Sequence, residues 1–509
     1  MGLTVLSRDD VAWITSHPDA CAEAEPLEFS KATEFADGAR LRSKYGQYGR
    51  ALTELMVARR SARGPRPVDA KVSESVVDEW LVDAESVQQA TALVIAQYRA
   101  RRLALAPSLQ AGGLVHDVTC SIGSELAALA GEGLTAIGSD IDPGRVAMAR
   151  HNMSVLEKAA REEVGSGIDG VDPERFIRPL IARADALCPV SFPAVVIADP
   201  ARRAQGRRIS QPQDLIPPLP GLIDIWRGLT PDSSPELVVK CAPGIDYSSW
   251  DGEVEIISVA GAVKEACLWT PEIAASTSGI RALLTGDGHT DDDSPDHQRR
   301  ITRRATLIHA DGSVDMFTDT DPEVPQTADS SAPSSDIDEA TESGKKSLAD
   351  RYIVDPDGAI VRAGLVRQAA YRWGMRQIDP HIAFLTGDTP PAGVLACEVL
   401  DAVPLSKLTS TMAKRAPEQI EILVRGVAAN PDHVRAKIMS AVRKHSGKKT
   451  RNQRKNEASA HRLSQAEATA DSPSSGVSGG SYTIVITQVG DRQGKNSSVA
   501  FICGPREVH

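Results

Sequence analysis

Aromatic residues make up only 4% of the 509-residue chain, too few for a surface built on carbohydrate stacking or for an aromatic belt at a membrane interface. No stretch approaches the roughly 18 uninterrupted apolar residues of a spanning helix. Arg8, Asp9 and Asp10 interrupt the amino-terminal segment before the apolar run of a signal peptide could form. The cysteines Cys21, Cys120, Cys188, Cys241, Cys267, Cys397 and Cys503 are scattered, odd in number and never paired as C-x-x-C. That spacing disfavours a zinc knuckle or a disulfide framework and fits a reducing compartment. A soluble, untargeted, cytoplasmic protein with no membrane partner and no metal is expected. A G-x-G-x-x-G fingerprint and a G-x-x-x-x-G-K-[ST] string are both missing, which disfavours a dinucleotide enzyme and removes the P-loop. No long internal repeat is visible, and nothing sets an oligomeric state.

What is present is an ordinary globular balance, 41% hydrophobic and 25% charged. The length suits about two to four domains at roughly 100–200 residues each. The formal net charge of −11 seems to oppose nucleic acid, but the acid is concentrated between Asp287 and Asp338. Basic residues cluster elsewhere, from Arg202 to Arg208 and from Lys444 to Lys455, so local basic patches survive the overall sign.

Residues 1–108 read as a helical domain. Ser7 and Asp10 form a capping signal, and "ALTELMVARR" and "SVQQATALVIAQYRARRLALA" space apolar residues three to four apart. Pro107 should stop the second of these helices. Over 109–314 short apolar runs alternate with helical stretches, the mark of a parallel sheet with crossover helices. "VEIISVAGAVKEACLW" reads as two strands turning at Gly261, and "RATLIHADGSVDMF" as one or two more. Residues 315–347 are rich in Asp, Ser, Thr and Pro and read as an acidic disordered linker. Residues 348–509 mix strands and helices in a small α+β domain with a disordered polar loop near 446–480.

The chemistry is concentrated where apolar strands end. In "LVHDVTCSIGSELAALA" a strand ends at Asp117, a short loop carries Ser121 and Gly123, and a helix begins near Ser124. Small residues there let the backbone approach a ligand closely. About twenty residues later a second strand ends at Asp140, where a carboxylate can accept hydrogen bonds from two ribose hydroxyls. Asp142 and Pro143 then read as the cap and first turn of the next helix. A further strand, "VVIA", runs into Asp199-Pro200 and at once into Arg202, Arg203, Arg207 and Arg208, a guanidinium cluster suited to a phosphate-bearing substrate. Lys240 ends the fifth strand on the same carboxyl edge, and Cys241 beside it reads as a small core residue.

From Leu114 to Ala310 this order of motifs resembles the class I S-adenosylmethionine-dependent methyltransferases. The resemblance implies an α/β, Rossmann-like core. It places Asp117, Thr119, Cys120, Ser121 and Gly123 along the methionine part of S-adenosyl-L-methionine, Asp140 on the ribose and Asp185 near the adenine amino group. Asp199 and Pro200 match the first half of the D/N-P-P-x tetrapeptide of members that methylate nitrogens and are the expected catalytic pair, while Ala201 departs from the second proline and Arg202 from the frequent aromatic. Ser121 stands where many members have glycine. Arg202, Arg203 and Lys240 are the expected substrate contacts. The carboxy-terminal module, with "VRGVAANPDHVRAKI", is similar to a THUMP-like domain, which implies RNA, especially tRNA or rRNA, as partner. An RNA base methyltransferase acting on nitrogen is therefore expected. The alternatives are a non-catalytic RNA-binding protein that keeps the fold and a small-molecule methyltransferase; intact cofactor binding separates the first of these from an enzyme.

Overall fold

The computed structural model describes residues 5–162, 174–201, 203–204, 207–208, 211–229, 234–285, 300–325, 348–460, 480–490 and 496–509. The chain divides into two compact units, one formed by Met1–Asp321 with Asp357–Leu365 and the other by Pro322–Pro356 with Val366–His509.

In the first unit seven helices precede the sheet: α1 (Arg8–Ser16), α2 (Pro18–Ala24), α3 (Glu34–Tyr45), α4 (Tyr48–Arg63), α5 (Ala84–Gln89), α6 (Leu93–Leu103) and α7 (Pro107–Gln110). The expected cap is present as a capping box, in which Ser7 Oγ accepts from Asp10 N (3.1 Å) and Asp10 Oδ2 from Ser7 N (3.0 Å). α6 stops short of Pro107, which starts α7 instead, the position where a missing N–H is harmless. The helical region expected over 1–108 falls in the same unit as the sheet. The physical reason lies on α6, where Arg99 and Arg102 are fully buried. Arg102 donates from Nη1 and Nη2 to Glu253 (2.7 and 3.0 Å) and lies 3.9 Å above the Trp269 ring. Buried guanidinium–carboxylate pairs of this kind require both partners and so bind α6 to the strands beneath it.

The sheet contains β1 (Val115–Asp117), β2 (Ala136–Asp140), β3 (Leu180–Arg183), β4 (Val195–Ala198), β7 (Glu236–Cys241), β8 (Glu253–Val259), β9 (Ala262–Trp269), β10 (Arg303–Ile308) and β11 (Val314–Thr318); the two-residue strands β5 (Arg203–Ala204) and β6 (Arg207–Arg208) form a separate hairpin. The order is β11-β10-β8-β9-β7-β4-β1-β2-β3. From β3 to β7 every pairing is parallel, and β9 is antiparallel to both β7 and β8. β4, "VVIA", is buried along its whole length, as a central parallel strand must be. α8 (Ser124–Gly131) and α9 (Pro143–Glu162) cross over from β1 to β2 and from β2 to β3. The β8–β9 turn falls at Ala260 and Gly261, both in left-handed conformation, which suits a two-residue hairpin.

β11 pairs with β10 from Val314 to Thr318, so the ordered fold runs past the linker start expected at 315: alternating apolar residues in "VDMF" outweigh the acidic surroundings. Residues 326–347 of that linker lie outside the described residues.

The second unit is a mostly antiparallel sheet of order β13-β14-β12-β15-β18-β17-β16, with β19 added to β15. Its strands are β12 (Tyr352–Val354), β13 (Arg376–Gln377), β14 (Leu385–Gly387), β15 (Leu395–Pro404), β16 (Gln419–Val424), β17 (Ser481–Gly490), β18 (Asn496–Cys503) and β19 (Glu507–Val508). The helices Leu405–Arg415 and Pro431–Ala460 belong to it, and Leu408, Met412, Ile438, Ile484 and Ile502 fill its core. The loop expected near 446–480 is helical as far as Ala460, a continuation of the Pro431–Ala460 helix, whereas 461–479 lie outside the described residues.

Candidate active site

The strand order reverses between β1 and β4, and at the carboxyl ends of these two strands the sheet opens a cavity of about 660 Å³. Open parallel sheets place their ligands at this reversal. Asp117, Thr119, Cys120, Ser121, Asp140, Asp185, Asp199, Pro200 and Lys240 all line it. Gly123 sits between the lining residues Ile122 and Ser124.

The loop after β1 is fixed by its neighbours. Cys120 N donates to Ser139 O (2.9 Å), Ser121 N to Asp140 Oδ2 (3.0 Å) and Thr119 N to Asp117 Oδ1 (3.1 Å). Ser121 takes φ +48°, where glycine would be unstrained. Arg145 Nη1 donates to Ser121 Oγ (2.9 Å), an anchor that glycine lacks. Gly123, at φ +88°, precedes α8, and a Cβ there would press to 3.2 Å from Met153 Cε. One residue on, the Ser124 hydroxyl is buried in the cavity wall with no partner. The Asp140 carboxylate also accepts from Asp142 N (2.9 Å), and Asp142 in turn caps α9 through Arg145 N (2.9 Å), as expected. Asp185 is exposed at the cavity edge and accepts from Leu187 N (2.9 Å).

On the other side of the cavity, Asp199 N donates to Thr119 Oγ1 (2.7 Å), which joins the ends of β4 and β1. Lys240 is 6% exposed and pairs with Asp199 Oδ2 (2.9 Å) and Glu125 Oε2 (3.3 Å). The departure from a second proline has a structural use. Ala201 N donates to Ile216 O (2.7 Å), a bond that proline would abolish, and this brings Ile216, Pro217 and Pro218 to the cavity wall. Arg202 lies outside the described residues. The backbone of Arg203 opens the β5–β6 hairpin directly after this wall.

No family model matches the chain. It is 38% identical over 406 residues to an uncharacterised S-adenosylmethionine-dependent methyltransferase of Mycobacterium tuberculosis (strain CDC 1551 / Oshkosh), a match covering 78% of this chain and 91% of the relative. The corresponding protein of strain ATCC 25618 / H37Rv matches equally. The chain belongs to the S-adenosylmethionine-dependent methyltransferases. The crystal structure of a candidate methyltransferase from Porphyromonas gingivalis W83 shares the fold, with a TM-score of 0.57 at 16% identity over 99% of this chain and 100% of that one.

The methyltransferase's cavity has a size ordinary for small ligands, and its chemistry fits a cationic cofactor. Asp117, Glu125, Asp140 and Asp199 all face it. Burial pushes Asp117 up to about 7, although the nearby Lys240 pulls the other way. Burial also raises Asp140, opposed by the two backbone N–H groups that its carboxylate accepts. A ligand that brings positive charge to Asp117 would restore its ionisation. Because this carboxyl titrates near 7 when folded against a usual 3.8, the ligand-free protein holds an extra proton between those values and loses stability as pH rises through that window. Ligand-free Asp117→Asn should therefore gain several degrees of Tm over the parent near pH 8 and progressively less as pH falls through the window, and its affinity for S-adenosylmethionine should lose the parent's increase with pH. A Tm difference that stays constant with pH would contradict this account.

Several lining residues escaped the sequence reading. Glu85, Gln88, Gln89 and Thr91, on and just after α5, form part of the wall, as do Glu125 and Arg145. Glu85 and Arg145 form an ion pair (3.6 Å).

Proposed function

We propose that this methyltransferase transfers its methyl group to a ring or exocyclic nitrogen of an RNA base, in tRNA or rRNA, in the cytoplasm. The observation that carries this reading is the Asp199 carboxylate, which lies in the same cavity as Asp117 and Asp140 but belongs to a different strand end. Asp117 and Asp140 are assigned to the cofactor, which leaves Asp199 for the acceptor.

The bound cofactor supplies an electrophilic methyl group on a sulfonium. Asp117, Thr119, Cys120 and Ser121, with Gly123 behind them in the same loop, would hold its methionine part, and the unpartnered Ser124 hydroxyl adds a further polar group beside them. Asp140 accepts from the ribose hydroxyls, and Asp185 stands at the rim for the adenine amino group. Asp199 Oδ accepts a hydrogen bond from the acceptor amine and turns the nitrogen lone pair into the cavity, so that orientation supplies much of the rate. RNA is supported by the run of arginines that follows Asp199-Pro200 in the sequence, Arg202 and Arg203 included, which suits phosphate oxygens. The second unit, an α+β module with basic residues along the Pro431–Ala460 helix, is read as a THUMP-like RNA-binding domain.

Calorimetric titration with S-adenosylmethionine, followed by mass spectrometry of RNA nucleosides from a strain lacking the gene, tests this function. One methylated nucleoside should disappear and return on complementation. Unchanged nucleosides despite firm cofactor binding would refute an RNA acceptor. Asp140→Ala should weaken cofactor binding ten-fold or more, the scale of lost charged hydrogen bonds. Unchanged affinity in a folded variant would reduce Asp140 to a support for the loop.

A further inference from the structure

Lys240 has a costly position for a lysine, at the end of an interior strand with almost no exposure. Register explains its neighbour. β4 and β7 run parallel with Ala198 opposite Val239, so the next step along both strands sets Asp199 beside Lys240. The ammonium is also held from behind. Glu125 on α8 accepts from it (3.3 Å) and takes two further bonds from Arg99 Nη1 on α6 (2.8 Å each). Arg99 is held in turn by Glu265 on β9, to which Thr91 Oγ1 also donates (3.5 Å). Arg99, Glu125, Glu265 and Lys240 are all under 10% exposed, so the ammonium is largely shielded from solvent.

The charged groups around this point come from five elements: Asp117 from β1, Asp199 from the end of β4, Glu125 from α8, Arg99 from α6 and Glu265 from β9. Without Lys240, the carboxylates of Asp117, Glu125 and Asp199 would face one another across the cavity with Arg99 as the remaining cation of the chain just traced. An apolar side chain would fill the same volume at lower desolvation cost. What the lysine adds is a fixed positive charge at the Asp199 carboxylate.

We propose that Lys240 is a positioning residue, held by Glu125, which Arg99 fixes in turn, and that it keeps the Asp199 carboxylate ionised and aimed at the acceptor nitrogen. This rests on the reading of Asp199 as the group that orients the acceptor. Burial lowers the lysine's proton affinity, but the carboxylates of Asp199 and Glu125 more than compensate, so the ammonium stays charged across the working range of pH.

The test compares the full-length parent with Lys240→Met and Lys240→Arg. S-adenosylhomocysteine affinity by calorimetry, measured above neutral pH because Lys240 also holds Asp117 down, should stay within about three-fold of the parent in both. Methyl transfer to total RNA should fall about ten-fold or more near neutral pH in Lys240→Met and recover as pH rises, because a carboxylate that loses the ammonium beside it keeps its proton longer. Lys240→Arg should restore most of the rate and the parental pH profile. A second measurement needs no acceptor: ¹³C-labelled aspartate is titrated by NMR, with the Asp199 signal assigned by its loss in Asp199→Asn. Its midpoint should rise past neutral in Lys240→Met, as a roughly ten-fold loss near pH 7 that recovers at higher pH requires. Should the Met variant not fold, Lys240→Gln, which keeps a polar contact without the charge, serves in its place. A parental pH profile together with an unmoved Asp199 midpoint overturns the proposal. A midpoint that moves in a protein whose parent methylates no RNA upholds the ion pair's effect and overturns the acceptor reading alone.

Discussion

Asp199→Ala should keep S-adenosylmethionine affinity within about two-fold of the parent while methyl transfer to RNA falls on the order of a hundred-fold. The loop after β1 is held by bonds to other groups. Its bonds run from Cys120 to Ser139 and from Ser121 to Asp140, and the link from Asp199 to Thr119 is made by the backbone N–H, which alanine retains. Lys240 keeps Glu125 as a partner. The loss should therefore appear in kcat, since a misdirected nitrogen reacts slowly however well the cofactor is bound. Calorimetric titration and single-turnover transfer, measured on the same preparation, separate the two effects. Transfer at the parental rate would place the acceptor elsewhere and leave Asp199-Pro200 as a turn that closes β4.

Arg99→Met should be the most damaging single substitution to stability outside the apolar core. It withdraws a guanidinium from Glu125 and Glu265, both buried, and breaking a buried pair from one side costs about 3–5 kcal/mol. In a unit of this size a Tm lower by roughly 4–7 °C follows. Adding Glu265→Gln should recover part of the loss, because the stranded carboxylate and not the missing bond is the larger penalty. Differential scanning calorimetry of the three proteins decides the matter. A Tm within a degree or two of the parent for Arg99→Met would mean that water reaches these carboxylates and that α6 is held to the sheet by Arg102 and apolar contacts without Arg99.

The parts of the fold legible in the sequence are those written in local pattern. Short buried runs such as "VVIA" announce central strands, and acids at the ends of β1, β2 and β4 mark the carboxyl edge where the cavity opens. The capping box at Ser7 and Asp10 and the turn at Gly261 are short-range signals of the same kind. The hidden parts join distant segments. Arg99 meets Glu125 and Glu265 at separations of 26 and 166 residues, and no periodicity connects such positions. For the same reason the helices of residues 1–108 read as a separate domain, although α5 and the following loop supply Glu85, Gln88, Gln89 and Thr91 to the cavity. Ala201 is a third case. Read against a family motif it is a missing proline, and only the bond to Ile216 O shows that its N–H is wanted. Lys240 was legible as a residue on the right edge, but its partners were not.

The helix Gly358–Ala363 has a consequence for how this protein can be inherited and made. The chain leaves the first unit after Asp321 and returns for Asp357–Leu365 before leaving it for good. During that return the helix packs on β8 and β10 with Ala359 and Ile360 fully buried. A gene fragment ending at Asp321 would encode a sheet with an uncovered apolar flank, and the complementary fragment would carry off a segment that belongs to its neighbour. Recombination at one breakpoint therefore cannot exchange either unit intact. On the ribosome, likewise, the first unit is complete only once Leu365 has emerged, well into synthesis of the unit that follows it.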